Sequence, residues 1–120
     1  MLELERFFKT AESVRKDKFN DLRTIKEKSQ EQEKQVAKKL GGRTTAASGA
    51  LHSDKGDVST DDFLVECKRT DKAQLSLKKE WLQKIKSEAG MKTPLLHFEI
   101  QEEKWVAMPE SWFLYLKDKI

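Results

Sequence analysis

The stretch that decides the fold is KGDVSTDDFLVECK, residues 55–68. Its second half alternates as a strand does, so Glu66 and Lys68 lie on one face and the apolar side chains on the other. The polar residues 59–62 predict a hairpin turn, which brings Asp57 on the first strand beside Glu66. Two carboxylates and an ammonium therefore converge. Such a cluster suits a hard divalent cation, with the lysine orienting a water or neutralising a phosphate.

A second interpretation of the Glu66-Cys67-Lys68 segment is an ordinary solvated strand face, which is common in soluble proteins. The surrounding sequence is the most apolar of the first two thirds of the chain, and charges inside a core strand are costly unless they are paired or bind a metal. That context favours a site. Cys67 is the only cysteine, which excludes an internal disulfide and a Cys-based zinc site. We expect its side chain in the core.

Composition indicates one domain with a modest core, since the chain has 120 residues. The net charge of +3 fits contact with an acidic polymer without requiring it. The basic excess follows the Glu66-to-Lys68 strand, within residues 68–92. No apolar run approaches the ~18 residues of a membrane span, and no signal-peptide pattern opens the chain. We therefore expect no membrane partner and a cytoplasmic location.

The remaining elements follow from helix formers, breakers and periodicity. The composition of residues 1–40 predicts helix up to Gly41-Gly42, with a break near Asn20. Residues 1–28 are expected to form a helical extension of the domain. This extension is either a covering helix or an arm for dimerisation or DNA binding. Further strands are expected at 43–47, 95–100 and 104–108, one helix follows Lys68 and closes at Gly90, and the last helix starts at Pro109. The side chains expected to face inward are Leu75, Leu77, Trp81, Leu82, Ile85 and Ala89 in the first of these helices, and Trp112, Phe113, Leu116 and Ile120 in the last. The order predicts an α/β fold with a small mixed central sheet flanked by helices.

The layout of Asp57, a short gap and Glu66-x-Lys68 resembles the signature of the PD-(D/E)XK nuclease superfamily. Gly56 stands where the proline of that signature is usual, a substitution familiar in the branch of archaeal-type Holliday junction resolvases and related phage nucleases. The resemblance covers residues 29–108, within a nuclease domain of residues 29–120. It implies a restriction-endonuclease-like αβββαβ core.

In the resembled nucleases a helix before the sheet sends one carboxylate to the metal. Its usual pattern is an acid followed three, four and seven residues later by apolar positions. Glu33 matches this pattern through Val36, Ala37 and Leu40, and Glu31 is the fallback. The alternative for a single helical glutamate is a surface charge.

The resemblance implies a Mg²⁺-dependent endodeoxyribonuclease, with Mn²⁺ as a substitute, that hydrolyses phosphodiester bonds in DNA recombination and repair. Asp57, Glu66 and the backbone carbonyl of Cys67 would bind the metal, Glu33 would bind or position it, and Lys68 would orient the attacking water. The expected substrate is a Holliday junction, cut by a homodimer. A phage protein of this kind would act in the cytoplasm of its bacterial host.

The same resemblance, together with the positive charges, implies a set of DNA contacts. Phosphate contacts grip DNA without reading its bases. The expected contact residues are Arg43, Ser48, Gly49, Lys55, Lys72, Gln74, Lys78 and Lys79. Lys84 and Lys86 extend the basic face of the helix after Lys68, for which a merely solvated face is the alternative.

Three other functions remain open on the sequence. The first is a nuclease of the same superfamily acting on flapped or linear DNA. The second is a DNA-binding relative without catalysis, against which the intact acids and lysine argue. The third is a helical adaptor, which predicts no effect of Mg²⁺. Trp105, Trp112 and Tyr115 are expected in the core, with a partner surface as the alternative.

Overall fold

The computed structural model describes residues 22–45 and 56–120. Its elements follow the predicted order from residue 25 onward. The helices are α1 (Ile25–Leu40), α2 (Lys79–Ala89) and α3 (Glu110–Lys117). The strands are β1 (Arg43–Thr44), β2 (Val58–Ser59), β3 (Phe63–Thr70), β4 (Thr93–Ile100) and β5 (Glu103–Ala107). The predicted extension lies outside the described residues up to residue 21, and α1 begins after the capping residue Thr24.

The five strands form one sheet in the order β1-β2-β3-β4-β5. β3 and β4 are parallel, with α2 as their crossover, and the other neighbours are antiparallel. A parallel pair needs such a crossover because its strands begin at the same end of the sheet. The prediction of a small mixed sheet with flanking helices is therefore confirmed.

Two apolar clusters cover the two faces of the sheet. On one face, Val36 and Ala37 of α1 pack on a cluster that includes Val65 of β3. On the other, Ile85 of α2 packs against Leu64. Because successive side chains alternate, Leu64 shares its face with Glu66 and Lys68, while Cys67 packs against the α1 cluster as predicted.

The glycine before Asp57 has a conformation that few other residues adopt. Gly56 has a φ of +67°, and a Cβ there would lie 2.9 Å from Cγ of Leu64. Proline, with φ fixed near about −65°, cannot take that conformation. Glycine therefore suits this position where proline would not, and Asp57 joins the hairpin.

The helix after Lys68 begins later than predicted. α2 starts at Lys79, and residues 71–78 form the connection from the end of β3 back across the sheet. Leu77 and Leu82 are exposed rather than inward, whereas Ile85 and Ala89 are buried. The residues that apolar spacing had assigned to the first turn of this helix therefore lie in the connection between β3 and α2.

The last helix differs most from the prediction. Trp112 is half-buried, but Phe113, Leu116 and Ile120 are exposed instead of facing inward. α3 follows β5, the strand at the edge of the sheet, and none of its residues is buried. Apolar character predicts burial only when another layer lies above the helix, and the described residues provide none there.

Two smaller differences concern strand ends. β1 ends at Thr44, where residues 43–47 were expected as strand, and Thr45 instead donates its backbone N–H to the carbonyl of Asp57 at 3.0 Å. β4 starts at Thr93, two residues before the predicted start. Within residues 22–45 and 56–120 no helix has the length and apolar character to cross a membrane.

Candidate active site

Asp57 is held at the start of the β2-β3 hairpin by its backbone and its side chain. Its N–H donates to the carbonyl of Val65 at 2.8 Å, which continues the ladder formed by Val58 and Val65. Its Oδ2 accepts a hydrogen bond from the backbone N–H of Cys67 at 2.7 Å. The carboxylate is thereby fixed beside β3, next to Glu66, as the hairpin predicted.

Glu66 and Lys68 form a contact on the α2 face of β3. Lys68 Nζ lies 3.5 Å from Oε1 of Glu66, whose side chain is only 8% exposed. The same ammonium lies 4.8 Å from the centre of the Trp81 ring, within the range of a cation–π contact. The lysine head is therefore positioned by a buried carboxylate and by an aromatic ring of α2.

Trp81 is a site neighbour that the sequence did not assign to the site. It was predicted only as an inward-facing residue of the helix after Lys68. A second lysine, Lys78, also lies over its ring, at 5.6 Å from the centre. The available signal was a tryptophan at the start of a lysine-rich helix that follows the Glu66-x-Lys68 strand.

Glu33 of α1 interacts with this cluster through its charge. Burial, together with the negative charges of Asp57 and Glu66, raises the pKa of Glu33 to about 6. The pKa of Glu66 is likewise raised, first by burial and then by Asp57, while Lys84 and Lys68 act in the opposite direction. The mutual repulsion places the three carboxylates in one electrostatic cluster.

Glu31 occupies a different position from Glu33. Its Oε1 accepts a hydrogen bond from Gln35 at 3.0 Å. It lines a polar cavity together with Arg69 and Glu99. This arrangement favours Glu33 over the fallback, although Leu40, one of the apolar positions of the predicted pattern, is partly exposed.

Cys67 offers its backbone to the site rather than its thiol. In a strand, the N–H and C=O of one residue point to the same side. Because the Cys67 N–H binds Asp57, its carbonyl is directed toward the same edge of β3. Burial, followed by the charges of Asp57, Glu33 and Glu66, raises the pKa of the thiol well above its usual range. The thiol therefore stays protonated at neutral pH.

Gln32 connects α1 to the two central strands and was missed in the sequence. Its side chain is buried, and Nε2 donates to the carbonyl of Lys68 at 2.9 Å and contacts Nδ1 of His97 at 2.9 Å. Burial lowers the pKa of His97 to about 4, with smaller effects of Lys39 and Lys104. His97 is therefore neutral at pH 7, with Nδ1 accepting. The spacing of four residues between Gln32 and buried Val36 was the only sequence signal.

The expected DNA contacts are distributed unevenly. Arg43 lies exposed in β1, and Lys72 and Gln74 lie exposed in the connection between β3 and α2. Lys78 and Lys79 stand at the start of α2, beside Trp81. Of the lysines of α2, Lys84 lies near enough to Glu66 to lower its pKa. No hydrogen bond or ion pair in the described part of the chain links Lys72 or Gln74 to the carboxylates. Ser48, Gly49 and Lys55 lie outside the described residues.

The donor set has the chemistry that a hard divalent cation prefers, namely carboxylate and carbonyl oxygens. In residues 22–45 and 56–120, however, no group of three or more His, Cys, Asp or Glu side chains is placed to hold a metal ion. One oxygen of Asp57 accepts from Cys67, and Glu66 contacts Lys68. The carboxylates therefore interact through their charges in this structure. Their side chains would have to rotate before they could coordinate one metal ion together.

Comparisons with known proteins add no family to this description. No family model, no curated protein and no solved structure matches the chain. The geometry and chemistry of the residues themselves therefore carry the functional assignment.

Proposed function

We propose that the protein is a metal-dependent DNA endonuclease of the PD-(D/E)XK kind, with the restriction-endonuclease-like core that this implies. One observation carries the proposal. Asp57 is fixed beside β3 by the Cys67 N–H, next to the Glu66 and Lys68 pair. The charges of Asp57 and Glu66 also act on Glu33 of α1 and help to raise its pKa. The sequence resemblance named these residues, and rotation of their side chains would group them as a phosphodiesterase site of this kind needs.

Each residue has a distinct part in the proposed reaction. Asp57, Glu66 and the Cys67 carbonyl would hold Mg²⁺, with Glu33 binding or positioning it. When bound, the metal supplies Lewis-acid activation of a water and stabilisation of negative charge on the phosphate. Lys68, held by Glu66 and Trp81, donates a hydrogen bond that orients the attacking water.

The raised pKa of Glu33 supports a cation between the carboxylates. Three acids that share one region repel each other, and a dication nearby removes that repulsion. Binding of the metal would therefore favour the ionised form of Glu33. Since its pKa is about 6, metal affinity should weaken as the pH falls through about 6, because protons then compete for the carboxylate.

The lysines of α2 support nucleic acid as the substrate. Lys84 lies near enough to Glu66 to act on its pKa, and Lys78 borders Trp81. Positive charge beside a cluster of acids attracts phosphate by releasing counterions from DNA. The resemblance makes the four-way junction the first substrate to test, and flapped and linear DNA the second.

The test combines cleavage with metal-dependent stability. Purified protein is incubated with Mg²⁺ or Mn²⁺ on four-way junction, flap, duplex and single-stranded DNA. Its thermal unfolding is then followed with and without the metal. We expect metal-dependent cleavage and a rise in Tm on adding Mg²⁺, since a ligand that binds the folded state stabilises it.

Two variants make the stability test specific. Glu66→Gln should remove the rise in Tm, whereas the control Asp61→Asn, an exposed acid in the hairpin turn, should keep it. No cleavage and no metal effect in the wild type would contradict the proposal and favour the adaptor. DNA binding without either would favour the non-catalytic relative.

A further inference from the structure

The most unusual surface of the molecule is α3. Five consecutive apolar residues, 112–116, run around the whole helix, yet none of them is buried. A helix that is apolar all round normally lies inside a protein. The exposed apolar side chains of this C-terminal segment are Phe113 at 57%, Leu114 at 45%, Tyr115 at 52%, Leu116 at 38% and Ile120 at 107%.

The neighbouring strand is exposed in the same way. β5 ends the sheet and pairs only with β4 among the strands of the described residues. Trp105 and Val106 are 52% and 56% exposed. An apolar edge strand that stays uncovered invites pairing and aggregation, so proteins usually cover such an edge.

This surface supplies a large part of the area that a stable interface buries. Seven large apolar side chains of β5 and the α3 segment are each exposed by 38% or more. Three of these side chains are aromatic, with about 150–250 Å² each when fully exposed, and four are smaller aliphatic ones, so the seven together offer roughly 500–600 Å². A stable complex buries about 800 Å² on each partner. A scattered set of surface hydrophobic residues would fall well short of this.

The charges of α3 indicate a second copy of the chain as the occupant. Glu110, Phe113, Leu114 and Lys117 have the spacing i, i+3, i+4 and i+7, so they share one face of the helix. If two such helices cross antiparallel on a two-fold axis between residues 113 and 114, Glu110 meets Lys117 of the second copy, and the reverse contact forms as well. The face is thus complementary to itself, as a two-fold interface requires.

We propose that α3 and the β5 edge form the surface through which two copies of this chain associate, with the two α3 helices antiparallel. The inference does not depend on the nuclease proposal, because it uses neither the acids nor Lys68. In the sheet order, β5 is at the edge opposite β1 and β2, which adjoin Asp57. A pair formed in this way therefore leaves both candidate sites uncovered.

Charge reversal tests this contact without disturbing the core. Sedimentation velocity of the full chain at increasing concentration should show a wild-type dimer. Glu110→Lys and Lys117→Glu should each weaken the dimer by roughly tenfold or more, since each variant places two like-charge pairs across the axis. An equimolar mixture of the two variants should form a mixed dimer, because opposite charges then face each other.

Two further variants separate this contact from a general effect of added surface charge. Met91→Glu changes a side chain that is 97% exposed and lies outside α3 and β5, and it should leave the dimer intact. Phe113→Glu should abolish the dimer, and far-UV circular dichroism checks that the variant folds. A wild type that is monomeric at about 100 μM would overturn the proposal, and would indicate that residues 1–21 or another partner covers this face. A dimer that is indifferent to both charge reversals, or variants that do not associate on mixing, would overturn it as well.

Discussion

Two regions of the sheet depart from the ordinary placement of residues in opposite ways: the β2-β3 hairpin, which lies toward the β1 edge and is called the acidic edge, and β5 with α3, the apolar edge. Near β2 and β3, carboxylates are partly or wholly buried and repel each other. At β5 and α3, large apolar side chains are exposed. Burying charge and exposing apolar surface both cost free energy. The proposed cation would offset the first cost, and the proposed second copy of the chain would offset the second.

The edges also differ in how firmly they are built. The acidic edge is fixed by Asp57 bonded to Cys67 and by Gln32 bonded to Lys68. α3 has a T-shaped contact between Trp112 and Tyr115, but both residues belong to the helix itself. Substitutions at the two edges should therefore separate into effects on chemistry and on association.

The largest expected effect is on cleavage at the acidic edge. Asp57→Ala, Glu66→Ala and Lys68→Ala should each lower cleavage about 10²-fold or more under single-turnover conditions, because each acts on the transition state. Circular dichroism should show a folded protein in each case. Asp61→Ala, in the exposed hairpin turn, is the control and should cleave normally. Full activity in any of the first three would break the assignment.

Two leucines compare the core with the apolar edge directly. Leu96 lies in β4 and is 1% exposed, so Leu96→Ala should lower the free energy of unfolding by about 2–5 kcal/mol. Leu114 lies in α3 and is 45% exposed, so Leu114→Ala should lower the free energy of unfolding by less than about 1 kcal/mol at protein concentrations too low for association. Urea unfolding measures both. An equal loss would mean that α3 is packed within the single chain.

Much of the fold followed from local patterns. The β2-β3 hairpin and the division of β3 into two faces depend on a period of two and a short polar turn, which are local properties. The predicted start of α2 and the predicted burial of α3 were wrong. Both depend on the path of the chain and on which layers lie nearby. Apolar spacing shows that one face of an element is hydrophobic, but it does not show which residues or which partner cover that face.

The candidate site was partly predictable for the same reason. Asp57, Glu66 and Lys68 were named from one hairpin, and Glu33 from its spacing to an apolar face. Gln32 and Trp81 were missed, because a buried amide that bonds a distant carbonyl and a ring beneath an ammonium are tertiary contacts. They leave little trace in a single sequence.

Gln32 tests how α1 is attached to the site. Gln32→Leu should cost about 1–3 kcal/mol of unfolding free energy, because the carbonyl of Lys68 and Nδ1 of His97 lose a buried hydrogen-bond partner. It should also lower cleavage, since Glu33 is the next residue on α1. Gln35→Leu, whose amide bonds Glu31 at an exposed position, is the matched control. A stability as high as that of the wild type would show that this connection is dispensable.

The smallest expected effect is a gain in stability. The pKa of Glu33 is raised to about 6 from 4.5, so the folded state disfavours its charge above pH 6 and this cost disappears as the pH falls through 6 toward 4.5. Without metal at pH 7, Glu33→Gln should therefore stabilise the protein by less than about 1 kcal/mol, after allowance for solvent screening. Calorimetry should show a small rise in Tm while cleavage falls.

The control for this prediction is Glu31→Gln, which should change neither quantity. His97 provides a further check because its effect has the opposite sign. Its pKa falls from 6.5 to about 4 on folding, so the unfolded state takes up the proton first. The free energy of unfolding therefore decreases as the pH drops from 6.5 to 4. Glu33→Gln should thus lose stability on acidification more steeply than the wild type. The reverse order, or a lower Tm at pH 7, would place Glu33 outside the acidic cluster.

The most direct test of the central claim locates the metal itself. Mn²⁺ is titrated into the ¹⁵N-labelled protein, and the paramagnetic broadening of each backbone amide signal is followed by NMR. We predict that the amides of Asp57, Cys67 and Lys68 broaden first, together with that of Glu33, and that Glu66→Gln reduces the effect. Broadening that starts elsewhere, or that is the same in Glu66→Gln, would contradict the assignment of this acidic edge as a metal site.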